Sequence, residues 1–285
     1  EMDIHGSVGR LIASDRGGRK VPSLFRPGFL DDALGLLEDS SRVAVVTGFF
    51  VPACGAPETD GPGGAVMLGR SLARSGKETA LFTDRLCLDA VTACSAAVGG
   101  PVVREAAGAE EILAFGPDLL VFIERLGRAE DGLYYNMRAE DVSATTAPLD
   151  GAALSGNVKV LAVGDGGNEA GMGIFRGKLA ELLPGYAPCL SVVGAETALP
   201  VDVSDWGGYA LASLMSLGCG EWIGPEEGET GTMLEALISA GAVDGVTRRS
   251  EPTVDGFPEG EHREVISKLK ELVISRLRSS GKGLS

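Results

Sequence analysis

Short apolar segments alternate along the chain with segments in which apolar residues recur every three or four positions. Mostly apolar runs at 43–47, 79–83, 119–123 and 158–163, and a shorter one at 102–103, predict β-strands. Such runs are typical of strands that are buried on both faces, as in a parallel sheet. The pattern therefore predicts repeated strand–helix–strand units.

Segments with helical spacing lie between and around these strands. One begins at the glycine-rich loop 60–64 and stops before Gly76. The others lie at 27–38, 85–97, 109–115, 178–183, 206–217 and 261–278. The alternation predicts an α/β fold, namely a doubly wound, mostly parallel, Rossmann-like sheet with helices on both faces.

The chain is expected to form a single domain over residues 1–285, because no low-complexity linker divides it. Residues 1–41 are interpreted as an N-terminal packing segment with one amphipathic helix. The segment 261–278 is interpreted as a C-terminal covering helix. The Gly-, Pro- and Glu-rich stretch 224–231 is the weakest point of this prediction.

Two acidic residues stand where helices are predicted to begin. Asp60 is expected to cap the helix that follows it, and Ser204-Asp205 to cap the apolar helix at 206–217. The loop at Asp60 also has the character of an anion-binding helix start, so Asp60, Gly61 and Gly63 are candidate substrate-binding residues. It matches neither the dinucleotide fingerprint nor the phosphate-binding loop, and an ordinary capped helix is the alternative.

Charge and composition exclude several classes of partner. The formal net charge is −15, which repels nucleic-acid phosphates and anionic lipids, so neither nucleic acid nor a membrane is expected as a partner. No apolar run is long enough to span a bilayer, and no signal peptide is recognisable. The five cysteines form no CxxC pair and are interpreted as reduced. These features predict a cytoplasmic protein.

Polar residues follow the predicted strands directly, although the strands themselves are apolar. Thr47 and Gly48 end the first strand, and Glu124 and Arg125 follow the strand at 119–123. In parallel α/β sheets, ligands bind beyond the carboxyl ends of the strands. These residues are therefore candidate substrate-binding residues, and Arg125 is suited to hold a carboxylate, with a salt bridge at the rim as the alternative.

The glycine-rich loop 164–173 is the densest candidate site. It contains five glycines with Asp165, Asn168 and Glu169, and it follows the strand at 158–163. Glycines let backbone N–H groups approach an anion, and the acids can hold a metal or move a proton. A glycine-rich turn with an ordinary helix cap is the alternative, but a plain strand-to-helix turn needs fewer residues.

Four segments in this order resemble the D-glutamate cyclase family. They are Thr47-Gly48-Phe49-Phe50, Asp60-Gly61-Pro62-Gly63, Ile123-Glu124-Arg125 and Gly164-Asp165-Gly166-Gly167-Asn168-Glu169-Ala170-Gly171-Met172-Gly173. The resemblance extends from about residue 10 to 275, and the loop at Asp165 is its most specific part. It implies a lyase that closes D-glutamate to 5-oxo-D-proline with loss of water.

The loops suit this reaction, which needs a base, a polarised carboxyl group and an anchor for a carboxylate. Asp165 or Glu169 is the candidate base or metal ligand, with Mg²⁺ or Mn²⁺ as the candidate ion. Asn168 and the Gly166 and Gly167 amides are candidates to stabilise the oxyanion. Arg125 or the helix start at Asp60 is the candidate anchor.

Two other functions stay open. One is a non-catalytic amino-acid or anion sensor, or an accessory subunit; the other is a Mg²⁺- or Mn²⁺-dependent hydrolase of a small phosphorylated metabolite. Longer members of the family carry an N-terminal module that resembles a hydro-lyase and that is not recognised in this sequence. A separate hydro-lyase-like protein and a second copy of this chain are therefore the candidate protein partners.

Overall fold

A computed structural model describes residues 3–279 and has one sheet of six parallel strands at its centre. The sheet runs from one edge to the other as β5 (Val103–Glu105), β4 (Glu78–Thr83), β1 (Arg42–Thr47), β6 (Leu119–Ile123), β7 (Lys159–Gly164) and β8 (Thr197–Pro200). The central strands are buried on both faces, as their apolar runs predict.

Nine α-helices surround the sheet within residues 3–279. They are α1 (Ile4–Ile12), α2 (Gly28–Asp39), α3 (Pro62–Arg74), α4 (Leu88–Ala97), α5 (Ala109–Ala114), α6 (Arg176–Leu182), α7 (Ser204–Cys219), α8 (Glu229–Ser239) and α9 (Glu259–Ser279). Short 3₁₀ turns complete several connections, among them Leu149–Ser155 between β6 and β7.

Alternate residues of each strand contribute to two separate apolar cores. On one face, Val43 and Val45 of β1 pack with α3, α4 and α7, and α1, α2, α8 and α9 extend this layer. On the other face, Ala44 and Val46 pack with α5, α6 and the turn Leu149–Ser155. The alternation follows from the two-residue period of a strand. The predicted doubly wound α/β fold is confirmed.

The strand order reverses between β1 and β6. The chain moves outward from β1 to β4 and β5 through α3 and α4 on one face, and then returns to the other side of β1 to form β6, β7 and β8. Such a reversal leaves a crevice at the carboxyl ends of the two strands, because their following loops diverge to opposite faces.

Two short hairpins lie outside the main sheet. β2 (Phe50–Val51) pairs with β3 (Ala56–Pro57), directly after β1. β9 (Thr253–Val254) pairs with β10 (Phe257–Pro258), directly before α9. The Asp255–Gly256 turn of the second hairpin contributes to the site described below.

Besides the two hairpins, which were not predicted, three elements differ from the sequence prediction. The N-terminal segment contains α1 in addition to the predicted helix, α8 begins inside the stretch 224–231, and β8 was not predicted. Glycines weaken the helical pattern of α1, and β8 is a four-residue edge strand that ends at Pro200. Tertiary packing stabilises these elements despite weak local signals. Within residues 3–279, every helix is too short or too polar to cross a membrane.

Candidate active site

The crevice between β1 and β6 brings together residues that are far apart in the sequence. Thr47 ends β1, Glu124 follows β6, and Asp165 follows β7. The carboxylate oxygens of Glu124 and Asp165 lie within 4.8 Å of each other. Thr47 is fully buried, and its hydroxyl group has no hydrogen-bond partner among the described residues. The sheet topology therefore assembles these three predicted residues at one edge.

Glu124 has a backbone conformation that is uncommon for a residue with a side chain. Its φ is +47°, in the left-handed region. The carboxyl group is buried, and its Oε2 is hydrogen-bonded to the Ser204 hydroxyl group at the start of α7. The strained backbone turns the side chain from the end of β6 into the crevice, as is common for residues at functional sites.

Two aspartates cap each other's helices. Asp60 Oδ1 and Oδ2 accept hydrogen bonds from the backbone N–H groups of Asp205 (2.9 Å) and Ser204 (3.1 Å) at the start of α7. Asp205 Oδ1 accepts from Gly61 (3.0 Å) and Gly64 (2.7 Å) at the start of α3. The prediction that each aspartate caps the helix adjacent to it was wrong, because the two helix starts meet at the crevice and exchange caps.

The predicted glycines permit close approaches in this region. Gly61 has a φ of +103°, and a Cβ there would lie 2.7 Å from Glu124 Cβ and 2.8 Å from Thr47 Oγ1. A Cβ at Gly63 would lie 2.5 Å from the Tyr209 hydroxyl oxygen. At Gly48, with a φ of +108°, a Cβ would collide with Thr83. All three glycines therefore serve packing around the crevice.

Glu169 closes the glycine-rich loop on itself. Its fully buried carboxylate accepts hydrogen bonds of 2.7 Å from the backbone N–H groups of Asp165, Gly166 and Gly167. The Gly166 and Gly167 amides, predicted to stabilise an oxyanion, thus donate to a protein carboxylate in this structure. Glu169 gives the loop its shape, and the loop in turn holds Asp165 and Asn168 at the crevice.

Asp165 and Asn168 each have a buried oxygen atom that is unpaired in the part of the chain that the structure describes. Asp165 Oδ2 and Asn168 Oδ1 accept no hydrogen bond from residues 3–279, although the two residues are 2% and 3% exposed. The Asn168 amide nitrogen donates to the Tyr135 carbonyl at 2.8 Å. Because buried polar atoms are nearly always paired, the two free oxygens mark a place where a ligand or water can bind.

Arg19 and Asp255 complete this part of the site, and the sequence analysis identified neither as a site residue. Arg19 Nη1 lies 2.5 Å from Asp165 Oδ1, and Arg19 Nη2 lies 3.2 Å from Asp255 Oδ2. Asp255 has a φ of +54° in the turn between β9 and β10. The arginine therefore joins the N-terminal segment, the loop after β7 and the C-terminal hairpin.

These residues border a cavity of about 70 Å³. Acidic side chains and the side-chain oxygen of Asn168 lie beside three arginines. The lining residues are Arg19, Phe49, Val51, Glu58, Glu124, Asn136, Met137, Arg138, Asp165, Asn168, Gly245, Val246, Arg248 and Asp255. Met137 and Val246 are 39% and 45% exposed and form the mouth of the cavity.

Burial dominates the electrostatics of the cavity. It raises the pKa of Asp165 to about 8, although the Arg19 guanidinium acts in the opposite direction. Burial raises the pKa of Asp205 to about 7. The pKa values of Glu58, Asp60, Glu124 and Asp255 are raised well above the usual range by burial first and by neighbouring carboxylates second. Asp165, with a pKa of about 8, can therefore exchange a proton near neutral pH.

Arg125 lies outside the cavity lining. It is 1% exposed, and its guanidinium donates to Asp84 Oδ2 (2.8 Å) and to the carbonyl groups of Gly48 (2.9 Å) and Ala147 (2.6 Å). These contacts hold the loops after β1, β4 and β6 together. Since the protein itself binds both terminal nitrogens and the side chain does not line the cavity, the role predicted for Arg125 as a carboxylate anchor has no support in this geometry.

Two sets of carboxylates are close enough to share a cation. Asp60, Asp165 and Asp255 form one set, and Glu124, Asp165 and Glu169 form the other. However, N–H groups already bind both oxygens of Asp60 and both oxygens of Glu169. A divalent ion between Asp165 and Asp255 would have to displace the Arg19 guanidinium. The donor set in this arrangement does not fit a resident Mg²⁺ or Mn²⁺ ion.

The residues that the sequence analysis missed have weak local signals. The pair Asp255-Gly256 has the sequence of an ordinary turn. Arg19 lies in a polar stretch without helical or strand periodicity. Glu58, Arg138 and Arg248 follow no predicted strand. The spacing Glu58-Thr59-Asp60 was the one available hint, since two acids at alternate positions precede the helix start.

Comparison with known proteins supports a single family. Residues 8–270 match the family model described as D-glutamate cyclase-like, C-terminal. The chain is 29% identical over 316 aligned residues to the mitochondrial D-glutamate cyclase of Homo sapiens. That alignment covers 94% of this chain and 51% of the human protein, so the chain spans about half the length of that relative.

A solved structure gives a much weaker likeness. The exopolyphosphatase-related protein from Bacteroides fragilis is 9% identical, with a TM-score of 0.40, over 90% of this chain and 58% of that chain. At this level the likeness carries no argument. The family match, by contrast, extends over all six strands of the sheet and over every acidic residue of the crevice. The chain belongs to the D-glutamate cyclase-like, C-terminal family.

Proposed function

We propose that this chain is a lyase that cyclises D-glutamate to 5-oxo-D-proline with loss of water. Membership of the family supports the reaction class. The observation that carries the proposal is the pair of buried carboxyl groups, Asp165 and Asp255, beside unpaired oxygen atoms in the cavity. The pKa of Asp165, raised by burial to about 8, allows proton exchange near neutral pH.

Ring closure requires a fixed number of protons to move from the nitrogen to the departing oxygen. Glutamate enters with an ammonium group and a side-chain carboxylate, and the lactam leaves with a single N–H and one water. Two protons therefore move from the nitrogen to the departing oxygen. A site for this reaction needs one group that accepts a proton and one that donates a proton at the same pH, and these roles then reverse.

The Asp165 and Asp255 pair can perform both transfers. Ionised Asp165 takes a proton from the ammonium group, and protonated Asp255 gives one to the side-chain carboxylate. The free amine attacks the carboxyl carbon and the C–N bond forms. Asp255 then accepts the second proton from nitrogen, Asp165 returns its proton to the hydroxyl group, and the C–O bond breaks with release of water. Both residues end in their starting protonation states.

Arg248 and Arg138 at the mouth are the proposed anchors for the α-carboxylate. Among residues 3–279, Arg248 Nε is buried without a hydrogen-bond partner, and the Arg138 guanidinium donates only to the Val246 carbonyl, at 3.3 Å. Guanidinium groups pair with carboxylates by charge-assisted hydrogen bonds. Anchoring the α-carboxylate there directs the amine and the side-chain carboxyl group toward the acidic part of the cavity.

The cavity must enlarge before an amino acid can enter. Its volume of about 70 Å³ is well below the roughly 300 Å³ of a typical small-molecule site. Met137 packs against Gly166 at the mouth, and the neighbouring Asn136 is held by Glu140 and by the Tyr186 hydroxyl group. Displacement of the segment 134–138 would open the cavity, as a lid does in many enzymes.

The direct test is proton NMR of the purified chain with D-glutamate and separately with L-glutamate. We expect 5-oxoproline from the D isomer, at a rate that EDTA leaves unchanged and that added Mn²⁺ or Mg²⁺ does not raise. Product from this chain alone would show that the other half of the longer relative is not required. If D-glutamate raises the melting temperature without product, the chain is a binding or accessory module. Release of phosphate from phosphorylated metabolites only with added metal would favour the hydrolase alternative.

A further inference from the structure

A short polar segment delivers the only cation that is ion-paired to the cavity acids within residues 3–279. This segment, residues 13–20, connects α1 to the 3₁₀ turn at Val21–Leu24 and is called the arm below. Three of its residues, Asp15, Gly18 and Lys20, have φ values of +61°, +67° and +67°. The Asp15 carboxylate closes the turn by accepting the Lys20 N–H at 3.0 Å. The tight turn projects Arg19 away from the arm.

A buried aspartate fixes the arm to the sheet. Asp202, which is 3% exposed and follows β8, accepts the Ser14 N–H (2.9 Å), the Ser14 hydroxyl (3.3 Å) and the Arg16 N–H (2.9 Å). Its own backbone N–H donates to the Ile12 carbonyl at 2.8 Å. The contacts attach the arm at the carboxyl ends of the strands, the side of the sheet on which the cavity lies. The arm is therefore held in place by residues that do not line the cavity.

Arg19 differs from the other arginines of the cavity in its partners. Its two terminal nitrogens lie 2.5 Å from Asp165 and 3.2 Å from Asp255, and its side chain is 22% exposed. Arg248 pairs instead with Glu140, which is outside the cavity lining, and Arg138 bonds to a carbonyl group. Arg19 alone thus lies between the two carboxyl groups that the proposed reaction uses.

We propose that Arg19 is a positioning residue, which the arm holds between Asp165 and Asp255 so that the two carboxyl groups face each other and one of them can ionise. The inference rests on the proposed function for its catalytic consequence. Two adjacent buried carboxyl groups cannot both ionise, and a cation between them stabilises the state with one negative charge. Asp202 acts on the two carboxyl groups indirectly, because it fixes the position of the arm that carries Arg19.

Several charged groups act on Asp165 together with Arg19. They come from every element packed around it, and they are Arg19, Glu58, Asp60, Glu124, Glu169 and Asp255. Arg19 is the one positive charge in this set, so its loss makes the surroundings of the Asp165 carboxyl group more negative. Without it, the pKa of Asp165 should rise, because burial and the charges of Asp60 and Glu169 raise it, and the Arg19 guanidinium is the strongest influence that lowers it, ahead of the hydrogen bond with Asp255.

The test compares Arg19→Gln with Arg19→Lys in the full chain. We expect Arg19→Gln to lower kcat for 5-oxoproline formation about 100-fold with little change in KM, and to move the midpoint of the kcat/KM profile to higher pH. Arg19→Lys keeps the charge and should restore most of kcat and the midpoint. Asp202→Asn, remote from the cavity, should lower kcat in the same direction by about tenfold.

A second measurement separates this inference from the proposed function. Carbon-13 NMR of labelled aspartate side chains reports the Asp165 pKa without any turnover. We expect that pKa to rise by about one unit or more in Arg19→Gln and to return in Arg19→Lys. If wild-type protein makes no product but this shift is observed, the proposed reaction fails and the role of Arg19 stands.

The matched control removes a different ion pair of the same arm. Glu261→Gln removes the exposed ion pair between Arg16 and Glu261, whose atoms are 3.2 Å apart, and should change neither kcat nor the Asp165 pKa. An unchanged Asp165 titration in Arg19→Gln would overturn the inference. So would a Lys variant that titrates like the Gln variant, since that result would assign Arg19 a purely steric role.

Discussion

Asp150 and Asp165 are both buried and both paired with an arginine, yet their carboxyl groups behave in opposite ways. Asp150 Oδ2 lies 2.9 Å from Arg128 Nε, and Asp165 Oδ1 lies 2.5 Å from Arg19. Burial raises the pKa of both groups. For Asp150, hydrogen bonds from Arg128 and Tyr134 outweigh burial and hold the pKa below its usual value, whereas the pKa of Asp165 is raised to about 8.

The difference comes from the neighbours of each carboxyl group. Asp150 accepts hydrogen bonds from the Arg128 backbone, from two Arg128 side-chain nitrogens and from the Tyr134 hydroxyl group. Asp165 Oδ2 accepts none, and carboxylates surround it. Hydrogen bonds to the charged form favour ionisation, and nearby negative charges oppose it.

The comparison distinguishes a carboxylate that stabilises the fold, Asp150, from one that can take part in proton transfer, Asp165. A saturated ion pair such as Asp150 with Arg128 holds loops together and has no capacity left for a ligand. An acid with a free oxygen, a raised pKa and a cavity in front of it can exchange a proton with a ligand. An arginine partner alone does not distinguish the two cases.

The largest expected effect is on catalysis by Asp165→Asn. Loss of the proton acceptor should lower kcat by about 10³-fold, measured by NMR detection of 5-oxoproline. The melting temperature should not fall, because a neutral amide removes a buried acid from a cluster with excess acid. A wild-type rate in this variant would remove Asp165 from the mechanism.

The corresponding change at Asp150 should act on stability instead. Asp150→Asn leaves Arg128 and Tyr134 without their acceptor and should lower the free energy of unfolding by about 2–3 kcal/mol in urea titrations. The kcat of the folded protein should stay within about twofold of wild type. The exposed pair Arg85 with Glu105 provides the control, and Arg85→Gln should leave both quantities unchanged. Equal loss of kcat at Asp150 and Asp165 would contradict the comparison.

The pH dependence of the wild-type protein sharpens the contrast. Because Asp165 must ionise to accept a proton, kcat/KM should rise about tenfold per pH unit and level off above the Asp165 pKa of about 8. The stability of the folded protein should instead decrease as pH rises. The folded Asp165 keeps its proton between its ordinary value of 3.8 and about 8, so the free energy of unfolding falls as pH rises through this window. Asp165→Asn should flatten the slope of melting temperature against pH, and an unaltered slope would assign it to other acids.

The smallest expected effect concerns the mouth of the cavity. Arg248→Gln removes a carboxylate donor and should raise KM for D-glutamate about tenfold, with kcat within about twofold of wild type. Initial rates over a range of D-glutamate concentrations would measure both. Arg85→Gln again serves as the control. An unchanged KM would show that the α-carboxylate binds elsewhere.

Much of the sheet could be predicted from the sequence because its signals are local. The runs that form β1, β4, β6 and β7 are mostly apolar, and turn residues bound them. β8 gave no such signal, since a four-residue edge strand with a terminal proline differs little from a loop. Its place in the sheet comes from pairing with β7.

The candidate site could be predicted only in part. Asp165, Asn168 and Glu124 follow strands, so the general rule for α/β sheets identified them. Arg125 follows β6 as directly as Glu124 does, but its side chain turns to Asp84, away from the cavity. The order of residues along the chain cannot distinguish these two outcomes, because side-chain direction depends on the left-handed backbone at Glu124 and on partners from other loops.

The sequence by itself determined the alternation of strands and helices, and with it the edge at which the polar loops gather. The tertiary structure decided that Asp60 and Asp205 exchange helix caps, and that Arg19 reaches Asp165 from the N-terminal arm across 146 positions of the chain. The spacing of apolar residues along the sequence indicates which residues are buried. Ion pairs and caps between distant segments leave no periodic pattern, because each depends on a single contact that only the folded chain creates.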